Sequence, residues 1–170
     1  MKTERINVKW SRKVWTVSIL CSLALAVGIV ELIQATLQPE KLSFFVGLIG
    51  IILIGAAVLY AITFMPLYIL LTPRSLVLKK GLGTIELPYS MIRSIRPFNM
   101  KRDYRLFGSG GFWGYTGLFM NRELGRYKAF VGDVSQAFII ITSEGGLYVF
   151  SCENYKLTIQ KIKERVNSLL

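Results

Sequence analysis

The sequence predicts a two-helix transmembrane hairpin followed by one small β-rich domain, an α+β unit that a C-terminal α-helix closes. Three observations indicate this fold class: two long apolar segments near the N-terminus, a change near residue 66 to short strand-like segments between turn residues, and one amphipathic segment at the end. Of the 170 residues, 52% are hydrophobic, compared with about 45–50% in soluble domains. We therefore divide the chain into a basic tail (1–13), a hairpin (14–65) and a domain (66–170).

The two apolar segments, residues 14–36 and 42–65, are each long enough to cross a bilayer, because about 20 apolar residues in a helix suffice. Only residues 38–41 connect them, so the helices should be antiparallel and both chain ends should lie on one side. A cleaved signal peptide is the alternative for the first segment. Its apolar run is too long for a signal peptide, and a second span follows at once.

Charge predicts the orientation of this hairpin. The tail carries five Lys and Arg residues, whereas the connection carries one, so the positive-inside rule places both termini in the cytoplasm. Trp10 and Trp15 lie where the aromatic belt of the inner interface is expected. Glu31 is the one acid within a span. It is either part of a proton or ion pathway or a carboxylate near the outer interface, and we favour the second because no partner for a pathway is evident.

The rest of the chain has the pattern of a small barrel or sandwich of about seven strands. Strand-like segments are separated by turn residues and occupy 68–72, 76–80, 84–87, 91–98, 115–120, 126–131, 136–142 and 147–151. After Asn154, apolar residues recur at helical spacing at Ile159, Ile162 and Val166. We expect this helix to pack on the sheet, and the alternative is an amphipathic helix that lies on the membrane.

Two blocks of sequence carry a resemblance to a known family. They are FGSGGFWGYTGLFMNRELGRYKAFVGD (107–133) and QAFIIITSEGGLYVFSCEN (136–154), preceded by YILLTPRSLVLKKGLGTIELPYSMIRSIRPF (68–98). Over residues 66–170 the chain resembles one of the bacterial pleckstrin-homology-like (PH-like) families. The resemblance implies a PH-like barrel or sandwich, a non-catalytic role and a location in a bacterial inner membrane. It implies no specific ligand.

Candidate binding residues form three groups in the domain. They are Lys79 and Lys80 in a predicted turn; Gly108, Gly110, Gly111 and Trp113 in a glycine-rich stretch; and Arg102, Arg105, Arg126 and Lys128, which flank that stretch. Glycine-rich backbone can cradle phosphate, but it also occurs where a loop or bulge requires unusual φ angles. The aromatic residues beside these glycines belong either to the core or to the membrane interface. The flanking cations are candidates for one basic face.

Composition argues against an enzyme. The chain has no histidine and two cysteines, so the commonest general base is missing and neither a zinc site nor another metal or cofactor site is expected. The domain from residue 72 onward carries fifteen Lys and Arg against seven acids. Because the domain is tethered, this charge indicates anionic lipid headgroups rather than nucleic acid. We predict a membrane-anchored interaction module that binds a protein partner or itself. The alternatives are a sensor of anionic lipid and an accessory subunit of a membrane transport or signalling complex.

Overall fold

The computed structural model describes residues 2–37, 41–100 and 103–168. Three α-helices and ten β-strands are present in this part of the chain. The helices are α1 (Arg12–Thr36), α2 (Lys41–Phe64) and α3 (Tyr155–Asn167). The strands are β1 (Glu4–Asn7), β2 (Pro66–Leu71), β3 (Ser75–Lys80), β4 (Thr84–Pro88), β5 (Ile92–Pro97), β6 (Tyr104–Gly111), β7 (Gly114–Asn121), β8 (Gly125–Val131), β9 (Ala137–Thr142) and β10 (Leu147–Ser151).

The two long helices pack against each other as an antiparallel pair. A Cβ on Gly47 would lie 2.8 Å from the carbonyl oxygen of Leu32, and a Cβ on Gly28 would lie 4.0 Å from Ile54. Residues later in α2 therefore contact residues earlier in α1, as the antiparallel arrangement requires. Both helices are long and apolar enough to cross a membrane, and only 6% of the most apolar 18 residues of each are buried. Such exposure is the opposite of what a core helix of a soluble protein shows. The connection at residues 38–40 lies outside the described residues.

The domain is a sandwich of two open sheets and not a closed barrel. One sheet has the strand order β1-β2-β3-β4 and the other has the order β5-β9-β10-β8-β7-β6. All of the pairings are antiparallel except that of β10 with β8, which is parallel. The predicted β-rich unit closed by one helix is confirmed.

The main core lies between the two sheets and α3. It includes Leu71 and Leu78 from the first sheet, Phe138 and Phe150 from the second, and Ile162 from α3, all completely buried. The apolar stripe of α3 therefore packs on the sheets, as expected.

A second core covers the outer face of the six-stranded sheet. Strands β5 and β6 are at opposite edges of that sheet, so the chain between them must cross one face. Met100 of this connection is buried, and the ring of Phe98 lies 5.4 Å from that of Tyr127. The connection thus covers strands that would otherwise expose apolar side chains to water. Residues 101–102 of this connection, including Arg102, lie outside the described residues.

The basic tail is not a free extension. Residues Glu4–Asn7 form β1, which pairs with β2 so that Ile6 lies opposite Ile69. Glu4 also forms an ion pair with Lys161 of α3. The alternation of Ile6 and Val8 was the available signal, but a strand of four residues is too short for its pattern to predict it. The tail before α1 and the domain after α2 are therefore joined at the same end of the helix pair.

Candidate interaction surface

The turn between β3 and β4 lies directly beneath the end of α2. The amide of Gly81 donates to the Met65 carbonyl at 2.9 Å, and the amide of Leu82 donates to the Thr63 carbonyl at 3.3 Å. These bonds satisfy carbonyls that the end of a helix leaves unpaired. A Cβ on Gly81 would lie 1.9 Å from the Ile62 carbonyl oxygen, so this turn requires glycine.

The predicted cations Lys79 and Lys80 end β3 beside this contact. The Lys80 ammonium lies 4.6 Å from the ring centroid of Phe64, in the last turn of α2, and 5.9 Å from that of Phe130. An ammonium in this position gains a cation–π attraction. It also places one positive charge at the level where α2 ends.

The glycine-rich stretch, interpreted from the sequence as a phosphate cradle or as a loop or bulge, lies in strand β6, which forms a hairpin with β7. Gly108 and Gly117 face each other in the register and have φ angles of +110° and +117°. A Cβ on Gly108 would lie 2.0 Å from the Thr116 carbonyl oxygen, and one on Gly117 would lie 2.3 Å from that of Phe107. The two backbones thus approach too closely for any side chain. This close approach explains Gly108 and Gly117 without a phosphate ligand.

The tip of the hairpin contacts α1. The backbone amide of Trp113 donates to the Ser18 hydroxyl oxygen at 2.9 Å. Ser18 is only 3% exposed, in contrast to most residues of this long apolar helix. The Trp113 ring stacks on Phe112 at 4.8 Å, and both rings are half-buried. Trp113 thus belongs to the contact between the domain and α1.

The middle of the same hairpin contacts α2. The rings of Phe107 and Tyr60 meet edge to face, with centroids 5.5 Å apart. Tyr60 is one turn before the end of α2 and also packs on Phe64. Strand β6 therefore crosses both helices near their domain-side ends.

The register places two rows of side chains on one face of β6, β7 and β8. Cross-strand partners share a face of a sheet, and residues two apart on a strand also share it. The rows are Tyr104, Met120 and Arg126, and Phe107, Leu118 and Lys128. We call these six residues the β6–β8 surface. The β6–β8 surface is on the same face of the six-stranded sheet as Phe130, which belongs to the main core. The four-stranded sheet does not cover this part of the face.

The predicted basic face is divided by this register. Arg105 lies opposite Phe119, which lies opposite Tyr127 on the outer face of the sheet. Arg126 and Lys128 are exposed on the other face, on the β6–β8 surface. A bulge between Arg105 and Phe107 sets this division, which the sequence alone does not show. The Arg105 guanidinium instead lies over Gly110, where a Cβ would be 2.7 Å from it.

Exposed apolar side chains of the domain are concentrated on this hairpin. In the described part of the domain, residues 66–100 and 103–168, the exposed large apolar residues are Leu82, Tyr104, Leu106, Phe107, Met120 and Leu157. Four of the six belong to β6 and β7, and Leu82 belongs to the turn beneath α2. Exposed apolar side chains that cluster in this way are typical of an interaction site, whereas apolar residues exposed singly are not.

A polar cleft of about 960 Å³ lies at the other end of the hairpin. Asp103 is its organising residue, because its carboxylate accepts from the Tyr127 hydroxyl and from the Asn121 side chain, both at 2.6 Å. Burial, and secondarily the Asp103 carboxylate, raise the pKa of Tyr127 above its usual range. Arg96 and Glu123 also line the cleft, so its charges are mixed. Sequence reasoning did not identify this network, because its members lie far apart along the chain.

Comparison with known proteins gives one match. A family model described as bacterial PH domain matches residues 67–166, which is more than half of the chain. No curated protein and no solved structure matches.

Proposed function

The chain belongs to the bacterial PH domain family, and from this membership we propose that it is a membrane-anchored, non-catalytic interaction module. In this proposal α1 and α2 span a bacterial inner membrane. The PH-like domain lies on the cytoplasmic face and binds a protein partner or a second copy of the chain.

One observation supports the placement of the tail and the domain on the same side of the membrane. Strand β1, which precedes α1, pairs along its whole length with β2, which follows α2. The tail and the domain must then be on the same side of any membrane that the two helices cross. Five Lys and Arg residues precede or begin α1, and Arg74, Lys79 and Lys80 follow α2. This asymmetry supports a cytoplasmic location for both.

Two measurements test the anchored arrangement. The chain should remain in the membrane fraction after alkaline carbonate extraction. In a background without Cys21 and Cys152, a cysteine at Gln38 should react with an impermeant thiol reagent applied outside the cell. A cysteine at Thr3 or Ser168 should react only after the membrane is opened. Extraction by carbonate, or the reverse labelling pattern, would contradict the proposal.

Partner binding is tested by photo-crosslinking in intact membranes. Reactive side chains introduced at Glu86, Arg93 and Lys163 sample β4, β5 and α3, three separate parts of the domain. A discrete adduct from one of these positions supports a defined partner, and its mass distinguishes a second copy from another protein. Absence of any discrete adduct from all three positions contradicts a protein-binding role.

A sensor of anionic lipid is the second candidate function. The observation that favours it is the location of Lys80 beside Phe64 at the end of α2, where a membrane headgroup layer would begin. An accessory subunit of a transport or signalling complex would use the same anchored arrangement, with the helices making the contact. The crosslinked adducts would identify such a complex.

A further inference from the structure

Two contacts place the β6–β7 hairpin against the helices. The hairpin tip bonds to Ser18 of α1, and Phe107 packs on Tyr60 of α2. Ser18 is six residues from the start of α1 and Tyr60 is four residues from the end of α2. At 1.5 Å per residue both contacts lie within about 10 Å of the helix ends. That depth corresponds to the boundary between headgroups and acyl chains if the helices span a bilayer about 30 Å thick.

The β6–β8 surface begins at the second of these contacts. Phe107 is 64% exposed in spite of its contact with Tyr60, and in the neighbouring row Tyr104 is 55% exposed and Met120 is 37% exposed. Arg126 and Lys128 are also exposed, and none of the six residues of this surface is acidic. The surface thus combines apolar side chains with positive charge at the level where the helices leave the apolar region.

We propose that the β6–β8 surface is a docking surface for the anionic cytoplasmic leaflet of the membrane that α1 and α2 cross. Its apolar side chains enter the boundary of the acyl chains, while Arg126 and Lys128 contact lipid headgroups. This inference rests on the proposed anchoring and adds to it a fixed orientation of the domain. Strand β6 lies on the bilayer, and α3 and the turn between β2 and β3 lie away from it.

Several observations favour lipid over a protein occupant of this surface. Phe107 already contacts a helix whose other sides face lipid in the proposed arrangement, so the surface is continuous with the spanning region. Long basic side chains can lay their methylene groups on apolar surface and still reach headgroups. Each basic residue near an anionic leaflet strengthens membrane attraction, by roughly fivefold in partitioning. The combination of exposed aromatic side chains with two cations suits this interface.

The test uses the full chain in vesicles, with a single tryptophan as the reporter. Trp10, Trp15 and Trp113 are replaced by Phe, and Phe107→Trp supplies the reporter. The vesicles contain phosphatidylcholine with brominated acyl chains, with or without phosphatidylglycerol. We expect the brominated chains to quench most of the fluorescence, and aqueous acrylamide to quench little of it. The matched control reporter is Leu157→Trp, because Leu157 is also exposed and apolar but lies on α3. The Leu157→Trp reporter should be quenched strongly by acrylamide and little by the brominated chains.

The charge contribution is tested on the same reporter. Arg126→Gln with Lys128→Gln should remove the increase in bromolipid quenching that phosphatidylglycerol causes. Arg74→Gln with Lys163→Gln removes the same charge from exposed positions outside the surface and should leave that increase unchanged. If the two double variants change the phosphatidylglycerol-dependent quenching equally, then Arg126 and Lys128 are not the residues that contact the headgroups.

Two results would overturn the inference as a whole. In the first, the Phe107→Trp reporter is quenched by acrylamide as strongly as the Leu157→Trp reporter, which would mean that the surface faces water. In the second, the reporter is protected from acrylamide without bromolipid quenching, and the protection increases with protein density, which would mean that a second copy covers it. Carbonate extraction of the same samples separates this failure from a failure of anchoring, since an anchored chain stays with the vesicles in both cases.

Discussion

The backbone amide of Trp113 donates to the hydroxyl of Ser18 across 2.9 Å, although 95 positions separate the two residues. The Ser18 hydroxyl in turn donates to the carbonyl of Val14 at 2.7 Å, and Val14 is completely buried. Trp113 has a φ angle of +53°, an uncommon value for a residue with a side chain. One hydroxyl on α1 thus holds the tip of the β6–β7 hairpin against that helix.

Removal of this hydroxyl should loosen the hairpin. Ser18→Ala leaves the Trp113 amide without its acceptor in a partly buried position, which should cost about 1–3 kcal/mol of unfolding free energy. Thermal unfolding of the full chain in detergent, followed by near-UV circular dichroism, measures the change. Thr16→Ala is the control, because the Thr16 hydroxyl bonds only to the Arg12 carbonyl of its own helix and is exposed. Equal destabilisation by the two variants would contradict the role of Ser18.

Gly108 in the β6–β7 hairpin should tolerate no side chain. Gly145, in the turn between β9 and β10, is the matched comparison. Gly108 and Gly145 both have positive φ angles, of +110° and +82°. A Cβ on Gly108 meets backbone at 2.0 Å, whereas a Cβ on Gly145 meets nothing within 4 Å. Gly145→Ala should therefore cost only the conformational penalty, roughly 1–2 kcal/mol. Gly108→Ala should cost clearly more, because β6 must move away from β7.

Denaturant unfolding of the two alanine variants tests this difference. If Gly108→Ala proves no more destabilising than Gly145→Ala, then the close approach of the two strands is not required for stability.

The packing of α3 predicts a large difference between two positions of that helix. Ile162 is completely buried in the main core, whereas Leu157 is 51% exposed. Ile162→Asp places a carboxylate in an apolar site, which should cost several kcal/mol and unfold the domain. Leu157→Asp should be close to neutral. Protease resistance and circular dichroism of the full chain distinguish the outcomes, and a folded Ile162→Asp variant would contradict the position of α3 on the sheets.

The thiol of Cys152 should make stability depend on pH in the alkaline range. Burial raises the pKa of Cys152 from an ordinary 9.0 to about 11, partly offset by a hydrogen bond to Thr158. Below pH 9.0 the thiol is neutral in both states and its burial is not penalised. Between pH 9.0 and about 11 the unfolded thiol ionises and the folded one does not, so unfolding becomes more favourable as pH rises.

Cys152→Ala should remove this contribution to the alkaline decline in stability, whatever its effect on stability at neutral pH. Chemical denaturation at a series of pH values compares the slopes for the two proteins. Identical slopes would show that the thiol is not protected from ionisation in the folded state.

The locations of most elements were predictable because their signals are local. The two long helices follow from apolar length, and α3 follows from the spacing of Ile159, Ile162 and Val166. Most strands of the domain follow from short apolar segments between turn residues. Strand β1 was not predicted, because four residues are stable as a strand only when β2 supplies their partners. Strand β6 was not predicted, since the glycine-rich stretch was interpreted as a phosphate cradle or as a loop or bulge. Glycine has low strand propensity, and the pairing of β6 with β7 overrides that propensity.

The candidate surface could be predicted only in part. The sequence placed Arg105, Arg126 and Lys128 near the glycine-rich stretch, and the structure brings all three to the same hairpin and its neighbouring strand. It did not predict that Arg105 points away from the other two, because a single bulge reverses the face on which later residues lie. Nor did it predict the contacts of Ser18 and Tyr60 with the hairpin, since neither residue has a pattern that distinguishes it within its helix.

By itself the sequence determined that this protein has two long apolar helices, a basic tail and a β-rich domain closed by one helix, because each of these depends on the length, charge or spacing of neighbouring residues. The tertiary structure alone decided that the tail is a strand of the domain, and that the β6–β7 hairpin crosses both helices near their ends. It also decided which cations share a face with Phe107. The physical reason is that these relationships depend on strand register and on contacts between residues far apart in the chain, and such contacts leave no periodic signal in the residues that make them.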